Sequence, residues 1–295
     1  TAWYLKASKY IQNTKIKVAF VSTNSIVQGE QVGILWKELF SNYGIKIHFA
    51  HQTFNWSNEA KSNAAVHVVI IGFAQFDSTN KRIFEYENIK SNAHEKSAKN
   101  INAYLVEGDD IVIEKRRKPL CNVLNIIKGN YYAKSEGLII EEKDLDYLVK
   151  NEPNAKKWIK LLIGADEFIN NRKRYCLWLV DCPPDELRKM PLVMERVNRV
   201  REDRLKSTDK GMQNLAPIRF RETNNPDKCI VIPVVSSEKR PYIPIGFIDK
   251  NTISTNGNLI IPNGDLFLFG QLTSLMHMSW VKYTCGRLES RFRYS

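Results

Sequence analysis

The sequence has 295 residues, of which 43% are hydrophobic and 26% are charged, and its formal net charge is +12. This composition is typical of a globular protein of about two domains and excludes a disordered or fibrous chain. Its apolar runs are too short to cross a bilayer and its first residues lack a signal-peptide pattern, so we expect a cytoplasmic protein with no membrane partner.

The chain begins with a predicted helix, strand and helix. Residues 2–11 carry helical apolar spacing, and KIKVAFVST is a β-branched run that predicts a strand. NSIVQGEQVGILWKELFSNYG predicts a turn and a second helix, with Gly44 at its C-terminal end. Because the chain opens within a helix and without a Met, we expect it to be a fragment of a longer protein.

Two more strands are predicted at IKIHFA and VHVVIIGF, joined by a connector that begins at His51, and residues 81–86 predict another. VHVVIIGF is apolar at nearly every position, which indicates a strand covered on both faces. This order of elements is typical of the end of an α/β sheet.

A polar stretch at residues 88–100 predicts a domain boundary, so we divide the chain into domains 1–98 and 99–295. The second region mixes helices and strands without strict alternation, which indicates an α+β domain. The first half of this region contains, in order, one or two predicted strands in INAYLVEGDDIVIEK and predicted helices in EEKDLDYLVKNEP and NAKKWIKLLIGADEFINN. A predicted buried strand in RYCLWLVD follows. The next predicted helix starts at prolines and carries Val193, Val197 and Val200 on one side.

The second half predicts strands in CIVIPVVSS, YIPIGFID and NLIIPNG, and a closing helix at about residues 269–285. Each strand contains a proline, at Pro233, Pro244 or Pro262. Because proline cannot donate a ladder hydrogen bond, we expect these strands at edges or in irregular sheets.

The positive charge is unevenly distributed. Residues 172–250 carry 17 Lys or Arg and 11 Asp or Glu, whereas residues 99–171 carry 12 of each. An excess of this kind suits a polyanion such as DNA, although solubility alone also explains it.

The sequence lacks the common motifs for nucleotide binding, metal binding and methyl transfer. The sequence contains neither GxGxxG nor GxxxxGK[ST]. Its five cysteines and five histidines show no ligand spacing, so we predict no metal site. DCPPDE lacks the aromatic that a methyltransferase tetrapeptide requires and sits where prolines open a helix.

Several long blocks carry a resemblance to a known family. FVSTNSIVQGEQVGILW and IKIHFAHQTFNWSNEAKSNAAVHVVIIGF resemble the second half of the catalytic domain of MmeI-like restriction-modification enzymes, which are amino-group DNA methyltransferases. IEKRRKPLCNV, IGADEFINNRKRYCLWLVD, PVVSSEKRPYIPIGFID and TSLMHMSWVKYTCGRLESRFRYS resemble the target-recognition region that follows it. The resemblance implies the C-terminal part of a Rossmann-like methyltransferase sheet followed by a mixed α+β recognition domain.

The family methylates the N6 amino group of adenine with S-adenosylmethionine. Its glycine-rich cofactor loop and Asn-Pro-Pro-aromatic motif do not occur in this sequence. We therefore predict no catalytic residue here, no bound cofactor and no activity of this chain alone. The missing catalytic and nuclease portion and double-stranded DNA are the expected partners. A non-catalytic interaction module, or a half-enzyme completed in trans, is the alternative.

The resemblance also implies a site for an extruded base. By position Phe54 matches the aromatic that stacks on the extruded adenine, and Trp56 is the second candidate; the alternative is that Phe54 only fastens a loop to the sheet. Thr23 and Asn24 follow a strand at its carboxyl end, where α/β sheets place ligands, or they cap the next helix.

DNA contacts are expected from polar and basic residues of the second region, since Arg and Lys contact guanine and phosphate. Arg196 and Arg199 lie on a helix that either follows phosphates or is a solvated face. The loop candidates are Arg219, Arg221, Ser236, Ser237, Lys239 and Arg240.

Overall fold

The computed structural model describes residues 1–56, 66–88, 91–116 and 118–294. They form two compact units. The first unit contains Thr1–Leu120, Ser237–Lys239 and Ser279–Ser295, and the second contains Cys121–Ser236 and Arg240–Met278. In the described ranges, none of the helices has both the length and the apolar character that crossing a membrane requires. The domain division at residue 98 stays a prediction.

The first unit is a mixed five-stranded sheet with the strand order β1-β3-β2-β4-β5. The β3 strand runs antiparallel to both β1 and β2, β4 is parallel to β2, and β5 is antiparallel to β4. The predicted α/β fold class is confirmed. Its elements are α1 (Ala2–Tyr10), β1 (Val18–Thr23), α2 (Glu30–Tyr43), β2 (Lys46–Trp56), β3 (Val66–Ala74), β4 (Lys81–Glu85) and β5 (His94–Ala98).

The core of this unit lies between the sheet and α2. Helical spacing brings Val32, Leu35, Trp36 and Leu39 onto one buried face, and Gly44 ends the helix in the left-handed conformation with φ 59°. The predicted helix and its C-cap are confirmed. The Phe49 ring packs where a Cβ on Gly72 would lie, so this position in β3 requires glycine.

Two predictions for this unit are wrong. The connector predicted from His51 begins later, because β2 continues to Trp56, paired with β3. Residues 57–65 lie outside the described residues. INAYLVEGDDIVIEK contains turns and one bridge between Ile101 and Glu107, and its described residues contain no strand.

The second unit contains two four-stranded sheets, with the orders β12-β10-β14-β6 and β13-β8-β9-β7. The first sheet is antiparallel throughout, and the second has one parallel pair, β13 with β8. The elements are β6 (Ile127–Lys128), β7 (Ile139–Glu141), α3 (Glu142–Asn151), β8 (Ile159–Ile163), α4 (Ala165–Asn170), β9 (Arg174–Leu177), α5 (Pro184–Arg188), α6 (Pro191–Leu205), α7 (Lys210–Gln213), β10 (Lys228–Pro233), β11 (Val235–Ser236), β12 (Gly246–Asp249), β13 (Thr252–Ser254), β14 (Asn258–Pro262) and α8 (Leu266–Leu272).

The predicted buried face of α6 is confirmed, since Val193, Val197 and Val200 are buried. The helix predicted over NAKKWIKLLIGADEFINN is wrong, because strand β8 interrupts it. Pro233 and Pro262 do not mark edge strands. Both β10 and β14 are inner strands, and each proline stands at the last position of its strand.

The chain closes with α9 (Leu275–Thr284), β15 (Gly286–Leu288) and β16 (Arg291–Arg293). The single closing helix predicted here is wrong, because α8 ends at Leu272 and α9 starts three residues later. From Ser279 onward the chain belongs to the first unit, where the N–H of Gly29 donates to the carbonyl of Thr284 at 3.2 Å.

Candidate nucleic-acid interface

A β-bulge in β2 sets the direction of the Phe54 side chain. His51 pairs with Ile70 and Phe54 pairs with Val68, so three steps along β2 oppose two along β3. In a regular strand, residues three apart point to opposite faces; the extra residue of the bulge brings His51 and Phe54 to the same face.

These two side chains belong to a cluster of rings on that face. The Phe54 ring stacks on Tyr86 with centroids 5.1 Å apart, and the His51 ring stacks on Phe84 at 4.1 Å. Nδ1 of His51 and the Tyr86 hydroxyl oxygen are hydrogen-bonded at 2.8 Å, which joins the two stacks. Phe54 is half-buried, so its ring is fixed by neighbours and still partly accessible.

Burial controls the titration of this cluster. It lowers the pKa of His51 and raises the pKa of Tyr86. At neutral pH both groups are therefore uncharged, and the hydrogen bond between them is a neutral one. A nucleobase that stacked on this cluster would therefore contact uncharged His51 and Tyr86 rings.

The other predicted residues of the base site lie at the ends of β1 and β2. Trp56 is the last residue of β2, is 41% exposed, and lies 6.4 Å from the Phe54 ring. Thr23 is exposed, with its hydroxyl 2.9 Å from that of Ser25. Asn24 is the first residue of a 3₁₀ turn, and the N-cap of that turn, Thr23, makes no side-chain cap hydrogen bond.

A cavity of about 820 Å³ lies beside the cluster within the first unit. Asn24 and Tyr86 line it together with Gln52 and Thr53, the residues of the bulge. Three cations also line it: Lys239, which was predicted, and Lys282 and Arg287, which sequence reasoning missed. No local pattern could identify the last two, because they reach this unit only through the fold.

In the second unit, the α6 arginines differ in their surroundings. Arg204 is 1% exposed. The half-buried Arg196 donates to the carbonyls of Gly137 at 3.2 Å and Ile139 at 2.9 Å. Arg199 is exposed and pairs with Glu195 at 3.1 Å. Only Arg199 of these three therefore extends into solvent, and a phosphate role for Arg196 would need its carbonyl contacts broken.

The loop arginines are more accessible. Arg221 is exposed, with Asp209 at 3.9 Å and Glu222 at 4.0 Å. Arg219 is half-buried and donates to the carbonyl of Arg221 at 3.2 Å. Arg240 is exposed. All three guanidinium groups have donors near the surface, as DNA contact requires.

The two adjacent serines differ. Ser236 is 2% exposed, and its hydroxyl has no hydrogen-bond partner among the described residues. It therefore does not lie in the exposed loop that the sequence predicted, which argues against direct DNA contact. Ser237 belongs to the first unit and accepts from the N–H of Lys239 at 3.2 Å.

Two family descriptions match the chain in succession. Residues 1–85 match "MmeI, DNA-methyltransferase domain", and residues 107–295 match "MmeI, target recognition domain". Together they cover nearly the whole sequence, and the second alone covers more than half of it.

Two individual relatives support the same family. The chain is 42% identical to "DNA methyltransferase A" of Bacillus subtilis (strain 168) over 299 aligned residues, which cover 100% of this chain and 33% of that protein. It is 47% identical, with a TM-score of 0.90, to a solved structure described as "Structure of Type IIL restriction-modification enzyme MmeI in complex with DNA has implications for engineering of new specificities". That match covers 100% of this chain and 40% of the other, so the chain spans well under half the length of these relatives.

Proposed function

The chain belongs to the MmeI family of DNA methyltransferases with a target recognition domain, and from this premise we propose that it is the target-recognition and base-holding part of a site-specific DNA methyltransferase. The relatives carry the names of a DNA methyltransferase and of a DNA-bound restriction-modification enzyme. The excess of Lys and Arg in residues 172–250 agrees with a polyanionic partner.

The proposed reaction is methyl transfer to the N6 amino group of adenine. S-adenosylmethionine would supply the methyl group in the parent enzyme. The sequence contains neither the glycine-rich loop nor the Asn-Pro-Pro-aromatic motif, so we assign no residue of this chain to the cofactor and expect these 295 residues alone to be inactive. The contribution of this chain is to bind the duplex and hold the base.

The aromatic cluster of His51, Phe54, Phe84 and Tyr86 is the observation that carries this proposal. Extruding a base costs a few kcal/mol, and stacking it on an aromatic ring returns about 1 to 3 kcal/mol. Phe54 is half-buried and held against Tyr86 at 5.1 Å, so little further ordering is needed when a base arrives. Trp56 is more exposed and has one described ring neighbour, so it suits this role less well.

The test is Phe54→Ala in the complete enzyme, with 2-aminopurine at the target adenine. We expect a smaller rise of fluorescence on binding and slower methyl transfer, with duplex affinity nearly unchanged. Trp3→Ala is the matched control, since Trp3 is an aromatic on α1 that is 70% exposed. Unchanged fluorescence and unchanged turnover in Phe54→Ala would show that this ring only packs.

DNA binding is tested separately by titrating the protein with random duplex DNA at several salt concentrations. We expect log K to fall linearly with log salt, with a slope of about −0.9 for each phosphate neutralised. No binding at low salt would refute the proposal and favour a non-catalytic interaction module. Methyl transfer that appears only when a separate cofactor-binding chain is added would identify a half-enzyme completed in trans.

A further inference from the structure

The larger of two adjoining cavities lies beside the aromatic cluster, and the described residues that line the two cavities belong to the first unit. The larger has a volume of about 820 Å³ and the smaller about 180 Å³. A volume of 820 Å³ lies within the range of small-molecule sites, and 180 Å³ holds about six water molecules. The two share Gln28, Gln52, Thr53, Lys282, Tyr283 and Arg287.

The smaller cavity is the more positive of the two. Among the described residues, its lining includes the cations Lys282 and Arg287 and no carboxylate. The larger cavity adds Lys239, and it balances the three cations with Glu87, Glu238 and Glu289. An anion that enters the pair of cavities is therefore favoured at the smaller one.

Arg287 is held firmly in this wall. Its guanidinium donates to the carbonyls of Ser290 at 3.2 Å and Lys282 at 3.0 Å, and its carbon lies 3.9 Å from the centre of the Phe292 ring. Burial lowers the pKa of Arg287 to about 10, so the group keeps its charge at neutral pH. Nearby Glu238 opposes this lowering of the pKa by its charge, but within the described ranges Arg287 forms no ion pair. A half-buried cation without a directly bonded carboxylate gains from an anionic ligand.

The larger cavity connects the smaller one to the candidate base site. Thr53, which precedes Phe54 in the bulge, lines both cavities. Tyr86 stacks on Phe54 and lines the larger one. Tyr86, Lys282 and Arg287 therefore line one cavity together.

We infer that Lys282 and Arg287 bind a phosphate next to the extruded nucleotide, in the smaller cavity beside Thr53. The inference rests on the proposed function and deepens it. It gives the last residues of the chain, which match the recognition-domain description, a role at the base-holding site. The ligand is a DNA phosphodiester, bound by charge and hydrogen bonds without regard to sequence.

The first experiment compares Lys282→Ala with Lys9→Ala in the complete enzyme bound to a duplex that contains its methylation site. Both lysines are exposed, so neither change threatens folding, and Lys9 lies on α1 outside both cavities. We expect Lys282→Ala to bind about tenfold more weakly, as for the loss of one charge-assisted hydrogen bond, and its salt slope to shrink by about 0.9. Lys9→Ala should match the wild type.

A second experiment locates the phosphate. A methylphosphonate, which is uncharged, replaces one linkage on either side of the target adenine, or a linkage at the far end of the duplex. We expect one flanking replacement to weaken the wild type about tenfold and to weaken Lys282→Ala hardly at all, because the partner charge is already gone. Equal losses in the two proteins would overturn the inference.

The outcomes separate the inference from the proposed function. A wild type that binds duplex DNA with the expected salt slope, together with a Lys282→Ala protein of unchanged slope, refutes only the phosphate site. A wild type that does not bind duplex DNA at low salt refutes both.

Discussion

Replacing Arg204 by alanine should destabilise the second unit strongly. Arg204 is the one α6 arginine whose guanidinium is enclosed by hydrogen-bond acceptors from several loops. Its guanidinium donates to Lys134 O at 3.2 Å, Leu215 O at 3.1 Å, Ala216 O at 2.5 Å, Ser135 Oγ at 2.7 Å and Arg219 O at 2.6 Å. These contacts tie α6 to the segments before β7 and after α7.

The magnitude follows from the burial of this network. A hydrogen bond from a charged donor contributes about 1.5 to 3 kcal/mol when measured singly, but bonds that share one group do not add. Removing one member of a buried charged network costs about 3 to 5 kcal/mol. For a unit of this size the melting temperature should fall by about 6 to 20 °C.

The assay is urea and thermal unfolding, with Arg201→Ala as the control. Arg201 lies on the same helix and is exposed, so its replacement should change the free energy of unfolding by less than about 0.5 kcal/mol. Arg204→Ala with wild-type stability but a reduced salt slope for DNA would refute this reasoning. It would mean that the guanidinium faces phosphate and not the protein interior.

Three further changes test the rest of the structure. Tyr86→Phe keeps the ring that stacks on Phe54 but removes the hydroxyl that is hydrogen-bonded to His51. We expect the free energy of unfolding to fall by about 1 kcal/mol. The 2-aminopurine fluorescence should lie between that of the wild type and that of Phe54→Ala. In Gly129→Ala the new Cβ would meet the carbonyl oxygen of Thr255, so we expect a loss of about 1 to 3 kcal/mol of stability. Gly270→Ala, whose Cβ would meet no described atom within 4 Å, should cause no such loss, and urea unfolding measures both. Burial lowers the pKa of His51 in the folded protein, so the unfolded chain binds a proton more readily at this residue. The free energy of unfolding should therefore fall as the pH drops below about 6.5, the ordinary pKa of histidine. In His51→Gln this pH dependence should be weaker, which unfolding curves from about pH 7.5 to about pH 5.5 would measure.

The sequence predicted those helices and strands whose formation depends on residues close together in the chain. VHVVIIGF became β3 because an unbroken apolar run suits a strand covered on both faces, and most residues of this strand are buried. Gly44 ended α2 because the left-handed conformation costs glycine little. The valines of α6 were buried because their spacing matches one helical face.

Features that depend on distant partners were not predictable. IKLLI has the composition of a helix or a strand, and pairing with β9 and β13 decided for the strand. Arg204 has the pattern of a surface cation, and only the loops around it reveal its burial. The candidate site was predicted in part, since Phe54 came from a family resemblance, whereas Tyr86 and Arg287 required the fold.

The order in which the chain passes between the two compact units limits how a chimera of this protein can be designed. The chain leaves the first unit at Leu120, returns for Ser237–Lys239, and returns again at Ser279. The second unit is therefore joined to the first at several points of the chain, and not at one hinge. A chimera that transplants residues 121–236 and 240–278 while the recipient keeps both returning segments should preserve Lys239, Lys282 and Arg287 in the larger cavity, whereas a single crossover near residue 100 would replace these three cations together with the second unit.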